Sequence, residues 1–367
     1  MNFKIHPRIE ALLAEKFPEL VTDSTPISRL KALAKMILEA SNEYIQNPDD
    51  QTPWDLPSMQ TAQWLYFLPL NNVRAQGVVS RLRSLPEGAS FFADLEQWVD
   101  FGAGLGALAY ELEEVSIWKN TNFIESDPIP RAELKKQFPH AQVFSSLKSF
   151  VSSQERALFP RTLMTFSYSL TESPNPDLRT APLLPPEAYT AEALLILEPS
   201  TQKDGRRLLE LRQKLIEQGF HIWAPCLHQK SCPLLVQSHR DWCHDRFHFE
   251  PPSWFLRLEK ELPIKNATLT TSYLAARKTP PAYLNSLSAK VRLIGDHLPE
   301  KGKSRQMICR GPEREFLAWL HRHVEPQEIP RGEILNLPTH FEKVSNEIRL
   351  QEPISLRSDR SATTNRT

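Results

Sequence analysis

Cysteine is nearly absent from this chain. Four occur in 367 residues, at positions 226, 232, 243 and 309. So small a set excludes a disulfide-stapled secreted scaffold, and each thiol becomes conspicuous. Glycine is also scarce, with eleven in all, about half the usual usage of roughly 7%. Long apolar runs are missing too. The longest, ALLIL from Ala193 and WLYFL from Trp64, fall far short of the ~20 residues of a membrane span, so no membrane partner is expected. Net charge is absent, because 44 Lys and Arg offset 44 Asp and Glu. No global field therefore draws the chain to nucleic acid. The N-terminal MNFKIHPRIEALLAEKF has no apolar signal core and carries Glu10 and Glu15, which argues against a transit peptide. A cytoplasmic monomer is expected. There the cysteines are metal ligands or buried thiols rather than disulfides.

What is present divides into stretches of different texture. Residues 1–90 read as helical. STPISRLKALAKMILEASNEYI offers a cap at Thr25, Pro26 at the first helical position, and Ile27, Leu30, Leu33, Ile37 and Leu38 on one face. PSMQTAQWLYFLPL starts a second helix that should stop near Pro69, and VRAQGVVSRLRSL supplies a third. Residues 91–280 alternate strand and helix, from QWVDFGAG through ALLILEPS to NATLTTSYLAARK. That alternation predicts a doubly wound, mostly parallel α/β sheet. Within it lies a cysteine loop, 224–244. Residues 281–345 suggest a small β-rich appendage with strands in AKVRLIGDHL, RQMICRG and EILNL. The polar tail 346–367 is expected to be disordered.

Three of the eleven glycines fall together. VDFGAGLGALAYEL sets Asp100, Gly102, Gly104 and Gly106 between a strand and a helix. Backbone without Cβ atoms can approach a ligand closely, and a helix N-terminus supplies N–H groups. Glu125 closes the next strand, where a carboxylate can hold ribose hydroxyls. Gly102, Gly104 and Ala107 also fit the fingerprint of dinucleotide enzymes, so an NAD-type oxidoreductase stays open. Asp100, two residues ahead of the first glycine, favours S-adenosylmethionine, whose ammonium it can reach. The fourth strand of the alternating region ends in TFSYSLTES, without the Asn/Asp-Pro-Pro-aromatic motif of amino-group methyltransferases. Tyr168 and Ser169 lie nearest the expected methyl position, and strand-end packing explains them equally well. The catalytic residue is unknown at this point. Pro225–Cys226 resembles a nucleophile pair, but it follows the sixth strand rather than the fourth.

Three cysteines stand within eighteen residues in APCLHQKSCPLLVQSHRDWCH, which begins at Ala224. Their spacing is neither that of a zinc ribbon nor that of a ferredoxin. Proline and polar neighbours make a poor core, so a metal site is expected, with Cys309 as the distant fourth ligand beside Cys226, Cys232 and Cys243. Soft thiolates accept either zinc or an iron–sulfur cluster, and spacing does not choose. His228, His244 and His248 are substitutes. Between Lys265 and Arg331 twelve Lys/Arg face six Asp/Glu, an excess of six. Such a segment is either a phosphate-backbone reader or a solvated charged surface.

Taken together, WLYFLPLNNVRAQGVVSRL, VDFGAGLGAL, TFSYSLTES, LILEPSTQKDGRRLLELRQKLIEQGFHIWAPCLHQKSCPL, DWCH and SYLAARK resemble a known family. It is the methyltransferase-like family of small-ribosomal-subunit assembly factors, known in yeast as mitochondrial ribosomal small-subunit protein twenty-two, with bacterial relatives. The resemblance covers about residues 60 to 335. It implies a class I S-adenosylmethionine-dependent methyltransferase fold, Rossmann-like, with a helical N-terminal region and a β-rich appendage. It implies a 4Fe–4S cluster on Cys226, Cys232, Cys243 and Cys309, and a cofactor loop of Asp100, Gly102, Gly104, Gly106 and Glu125. It implies binding to the rRNA of the small ribosomal subunit, through methylation or as a non-catalytic assembly chaperone. Ser200 departs from the glycine usual in EPGT, and VFSSL has no acidic residue for the adenine amino group.

Overall fold

The computed structural model describes residues 2–21, 25–48, 50–85, 88–153, 160–172, 184–282 and 290–354. It forms two compact units. The first is Met1–Pro225 with Trp242–Pro281, and the second is Cys226–Asp241 with Ala282–Thr367. The N-terminal helices thus belong to the first unit. Most of the cysteine loop, 226–241, groups with the second rather than with the α/β region that sequence assigned it to.

Nine described strands build the sheet of the first unit: β1 (Asn2–Phe3), β2 (Gln97–Phe101), β3 (Asn120–Ile124), β4 (Gln142–Phe144), β5 (Thr162–Ser167), β6 (Ala193–Glu198), β7 (His221–Ala224), β8 (Asp245–Phe249) and β9 (Thr268–Arg277). β4, β3, β2, β5 and β6 are neighbours in that order and all run parallel. Parallel strands covered on both faces read as unbroken apolar runs, and ALLILE of β6 is buried at every position. β9 is reversed against β6, and β7 is reversed against β9. The resulting order β4-β3-β2-β5-β6-β9-β7, with β9 alone reversed, is the class I methyltransferase arrangement. A dinucleotide-binding sheet continues in parallel.

One edge of β9 is shared by two strands. β7 pairs with Ala275–Arg277 and β8 with Thr268–Thr271. The cysteine stretch is therefore an excursion from a split edge strand, leaving after Ala224 and returning at Asp245. Sequence foresaw β7 but not β8, whose five residues DRFHF alternate buried and less buried positions. The helix Gln202–Glu217 packs on β6, β7 and β9. It is capped by Thr201, whose Oγ1 accepts from the Asp204 amide at 3.1 Å. Leu208, Leu211 and Leu215 are buried in phase, and Gly219 ends the helix at φ +83°.

Pro69 does not stop its helix. The helical course runs from Pro57–Ala62 through a π-turn, Gln63–Phe67, into Leu68–Ser84. The Leu68 amide reaches back to the Gln63 carbonyl in the π pattern. That wider turn lets the ladder pass a residue with no N–H. Likewise Pro26 is the cap of Ile27–Gln46 rather than its first residue. The Thr25 hydroxyl bonds the Glu19 carbonyl instead of capping.

In the second unit β10 (Lys290–Glu300), β11 (Lys303–Cys309), β12 (Glu315–Leu320), β13 (Ile334–Asn336), β14 (Glu342–Val344) and β15 (Glu347–Leu350) lie in the order β13-β10-β11-β12-β15-β14. Lys301 and Gly302 form the turn between β10 and β11, where Glu300 pairs with Lys303 and Gly302 takes φ +76°. Val291, Leu293, Ile308, Leu317, Trp319 and Ile348 make the core. β15 corrects the reading of 346–367 as a disordered tail. Ile348 and Leu350 are buried, and β15 pairs in parallel with β12. Residues 355–367 lie outside the described residues. No helix among the described residues is long and apolar enough to cross a membrane.

The helix Leu68–Ser84 packs on β8 and β9, and a Cβ at Gly77 would come within 2.5 Å of the Phe247 ring. Gly77→Val should overpack this contact and cost ~1–3 kcal/mol. Chemical denaturation is expected to give a lower midpoint, and an unchanged midpoint would contradict the packing.

Candidate functional site

β2 delivers Asp100 to the carboxyl edge of the sheet, where the chain turns through the glycine loop into the helix Ala109–Val115. The loop is tied down by its own amides. Gly102 and Ala103 donate to the Ile124 carbonyl at 2.8 and 3.2 Å, and Gly106 donates to the Ala103 carbonyl at 2.8 Å. Gly104 donates to Glu125 Oε2 at 2.8 Å, and the Asp127 amide donates to Glu125 Oε1 at 2.9 Å. Glu125 thus fastens the loop to the segment after β3. Burial pushes its carboxyl up, and the Asp127 and Gly104 amides hold it down.

The glycines are required for different reasons. A Cβ at Gly102 would stand 2.4 Å from Ser169 Cβ, so the loop lies directly on the segment that follows β5. Gly104 takes φ +54° and has nothing within 4 Å of its would-be Cβ. Its open side belongs to a cavity of about 1210 Å³. Gly104 is therefore where the loop leaves room for a ligand.

Asp100 is 1% exposed and lines that cavity. Trp98 Nε1 donates to Thr165 Oγ1 at 2.9 Å, and Thr165 Oγ1 donates to Asp100 Oδ1 at 2.5 Å. Desolvation pushes Asp100 up to about 7. The Thr165 hydroxyl opposes that rise, and the nearby Glu125 adds to it. The walls carry Asp100, Glu125, Asp127, Glu172, Glu187 and Asp204 against Arg74, Lys148 and Lys203. Carboxylates under desolvation are stabilised by a cation or by hydroxyl donors. A pyrophosphate needs the opposite, positive walls. The site is thus built for a cationic, hydroxyl-bearing ligand. Ser145, Ser146 and Leu147 also line it, where the third strand of the alternating region ends without an acid.

Two carboxylates were not singled out from sequence. Glu172, five residues past β5, lines the cavity and is pushed up to about 7 by desolvation. Glu198, the last residue of β6, is 3% exposed, and neither oxygen meets a donor in hydrogen-bond geometry. Desolvation pushes it up to about 8, against the opposing charge of Arg207. A polar residue ending an apolar strand was the signal for Glu198, and Glu172 carried none.

The four cysteines fall in both units. Cys226 follows β7, Cys232 caps the short helix Pro233–Gln237, and Cys309 ends β11, all in the second unit. There His228 Nε2 stands 3.4 Å from Cys309 Sγ. Cys243 belongs to the first unit, where its carbonyl accepts from Ser272 Oγ at 2.9 Å. Among the described residues no three or more His, Cys, Asp or Glu form a group that could hold a metal.

Six of the twelve cations in the basic segment form ion pairs with carboxylates, Arg277 with Glu192 among them. Lys303 and Arg305 meet Glu300 and Glu347, Arg310 meets Glu315, Arg314 meets Asp241, and Arg331 meets Asp296. Glu347 and Asp241 lie outside the stretch in which the excess was counted. Lys265 and Lys278 bond backbone carbonyls instead, and Arg322 bonds His323. Paired cations release fewer counterions to a phosphate backbone, so half of this segment's cations count for less than the sequence excess suggests.

A family profile described as "Mitochondrial small ribosomal subunit Rsm22" matches residues 78–316, more than half of the chain. A search of curated proteins returns no match. Among solved structures, the plantazolicin methyltransferase BamL is 10% identical, with 69% of this chain and 99% of that one covered at a TM-score of 0.37. The M. capricolum protein TrmK, in complex with S-adenosylhomocysteine, is 9% identical over 58% and 73% at 0.30. The magnesium protoporphyrin IX methyltransferase of Synechocystis PCC 6803, with bound S-adenosylmethionine, is 11% identical over 58% and 85% at 0.32.

Asp100 has a consequence for stability. Its carboxyl is raised from 3.8 to about 7, so the folded state holds this proton more tightly than the unfolded chain does. The stability it contributes is full below the ordinary carboxyl value and is lost as pH rises through about 7. Asp100→Asn should therefore raise the melting temperature of the ligand-free protein clearly more at about pH 8 than at about pH 5. Equal shifts at both pH values would contradict the assignment.

Proposed function

We propose a function that starts from one premise: the chain belongs to the mitochondrial small ribosomal subunit Rsm22 family. The reading is of an S-adenosylmethionine-binding, methyltransferase-like protein that acts on the rRNA of the small ribosomal subunit, by methylation or in assembly. The observation that carries it is the chemistry of the glycine loop. The amides of Gly102, Ala103, Gly104 and Gly106 are already committed, and what the loop offers a ligand is the carboxylate of Asp100 beside that of Glu125. In this reading Asp100 receives the cofactor's ammonium and Glu125 its ribose hydroxyls. The cofactor, when bound, supplies a methyl group on a sulfonium. The ribosomal partner rests on family membership.

The absence of an Asn/Asp-Pro-Pro-aromatic motif after β5 favours a second reading, a non-catalytic rRNA-binding assembly protein with the same cofactor site. A 4Fe–4S cluster on Cys226, Cys232, Cys243 and Cys309, or zinc in its place, is proposed from the sequence alone.

Calorimetric titration tests the cofactor site that both readings share. S-adenosylhomocysteine should bind one to one and NAD should not, and Asp100→Ala should weaken binding by more than about tenfold, roughly one charge-assisted contact. Binding of NAD without S-adenosylhomocysteine would overturn the reading. Iron, sulfide and zinc measured on the same anaerobic preparation decide the cluster. Zinc without iron would remove it.

A further inference from the structure

The cavity has a second polar corner, away from the glycine loop's own ligands. The chain leaves β5 through Tyr168, a residue with a side chain at φ +59°. A left-handed conformation there costs free energy and often marks a functional turn. The turn sets Ser169 against Gly102. Ser169 is 7% exposed and lines the cavity, and its Oγ has no hydrogen-bond partner. Three residues on, Glu172 is held from the helical region. The Thr52 amide and Oγ1 both donate to Glu172 Oε2, at 3.3 and 2.6 Å. Because the Thr52 hydroxyl proton points to Glu172, the Tyr44 hydroxyl, 2.8 Å away, is the donor to Thr52. Gln63 Nε2 donates to the Tyr44 oxygen at 2.5 Å. Gln63 itself opens the π-turn, a feature frequent at functional sites. Every donor in this chain points toward one oxygen of Glu172 and fixes the carboxylate's orientation. At about 1210 Å³ the cavity exceeds the ~300–1,000 Å³ of ordinary ligand sites. It has room for a cofactor and an acceptor group.

We propose that Glu172 is the catalytic base of a methyl transfer, taking the proton from an acceptor atom that carries one, an N–H or O–H group. The inference rests on the methyltransferase reading above. In the step, the acceptor's lone pair attacks the methyl carbon and the carbon–sulfur bond breaks. Its electron pair stays on sulfur as a neutral thioether, and the acceptor's proton passes to Glu172. The groups that set Glu172's proton affinity are the Thr52 donors and Tyr44 from the helical region, Glu125 at the end of β3, and Glu198 at the end of β6. Desolvation and the Glu125 charge raise that affinity and Thr52 lowers it. The balance suits a base that exchanges protons near neutrality.

The test is a single-turnover transfer from tritiated S-adenosylmethionine to small ribosomal subunits isolated from cells lacking the protein, run from mildly acid to mildly alkaline pH. The wild-type rate should rise with pH and level off. Glu172→Gln should slow transfer on the order of 100-fold and flatten the profile, with S-adenosylhomocysteine affinity unchanged. Thr52→Val, which keeps the base and removes a donor, should move the rise to higher pH. Wild-type transfer rates in Glu172→Gln would overturn the inference alone. No transfer by the wild type would overturn it together with the enzymatic arm of the reading. Retained S-adenosylhomocysteine binding would then leave the cofactor site standing.

Discussion

The site depends on carboxylates held out of water at the carboxyl edge of a parallel sheet. Asp100 is the clearest case. β2 is central, both of its neighbours run parallel, and its last residues emerge where the chain must turn. A single hydroxyl, from Thr165, opposes the desolvation of that carboxyl. Glu125 is buried beside it and is compensated by two amides. Glu172 and Glu198 continue the series around the strand ends. Such groups repel one another and weaken the unliganded fold, and they persist where a ligand's positive charge offsets the cost.

This constraint explains why the glycine loop differs from a phosphate cradle. The dinucleotide fingerprint and this loop share glycine spacing. In this chain, however, the loop amides of Gly102, Ala103 and Gly104 close on Ile124 and Glu125. Spacing alone left both cofactors open, and the buried Asp100 among acidic cavity walls favours the cationic one. The reversed β9 agrees, since it belongs to the methyltransferase sheet order.

Much of this was legible in the sequence, because it is written in local signals. The glycine triplet, the buried run of β6 and the phase of Leu208, Leu211 and Leu215 each announce their element within a few residues. What was not legible depends on partners far along the chain. Glu172 acquires its place from Thr52, 120 residues earlier. Lys303 is neutralised by Glu347, 44 residues later, so a local charge count overstated the basic patch. β8 exists because β9 has an edge left over beyond β7, a fact about pairing rather than propensity. Pro69 reads as a helix stop until a π-turn is placed ahead of it.

The central claim is that this carboxylate-lined cavity receives a cationic cofactor at Asp100. Proton release on binding tests it most directly. S-adenosylhomocysteine carries the ammonium that should ionise Asp100, whose carboxyl sits at about 7 before binding. Calorimetric titrations slightly below neutral pH, in two buffers of different ionisation heat, should show net release of protons that is lost in Asp100→Asn. Proton uptake, or binding indifferent to both buffer and substitution, would contradict it.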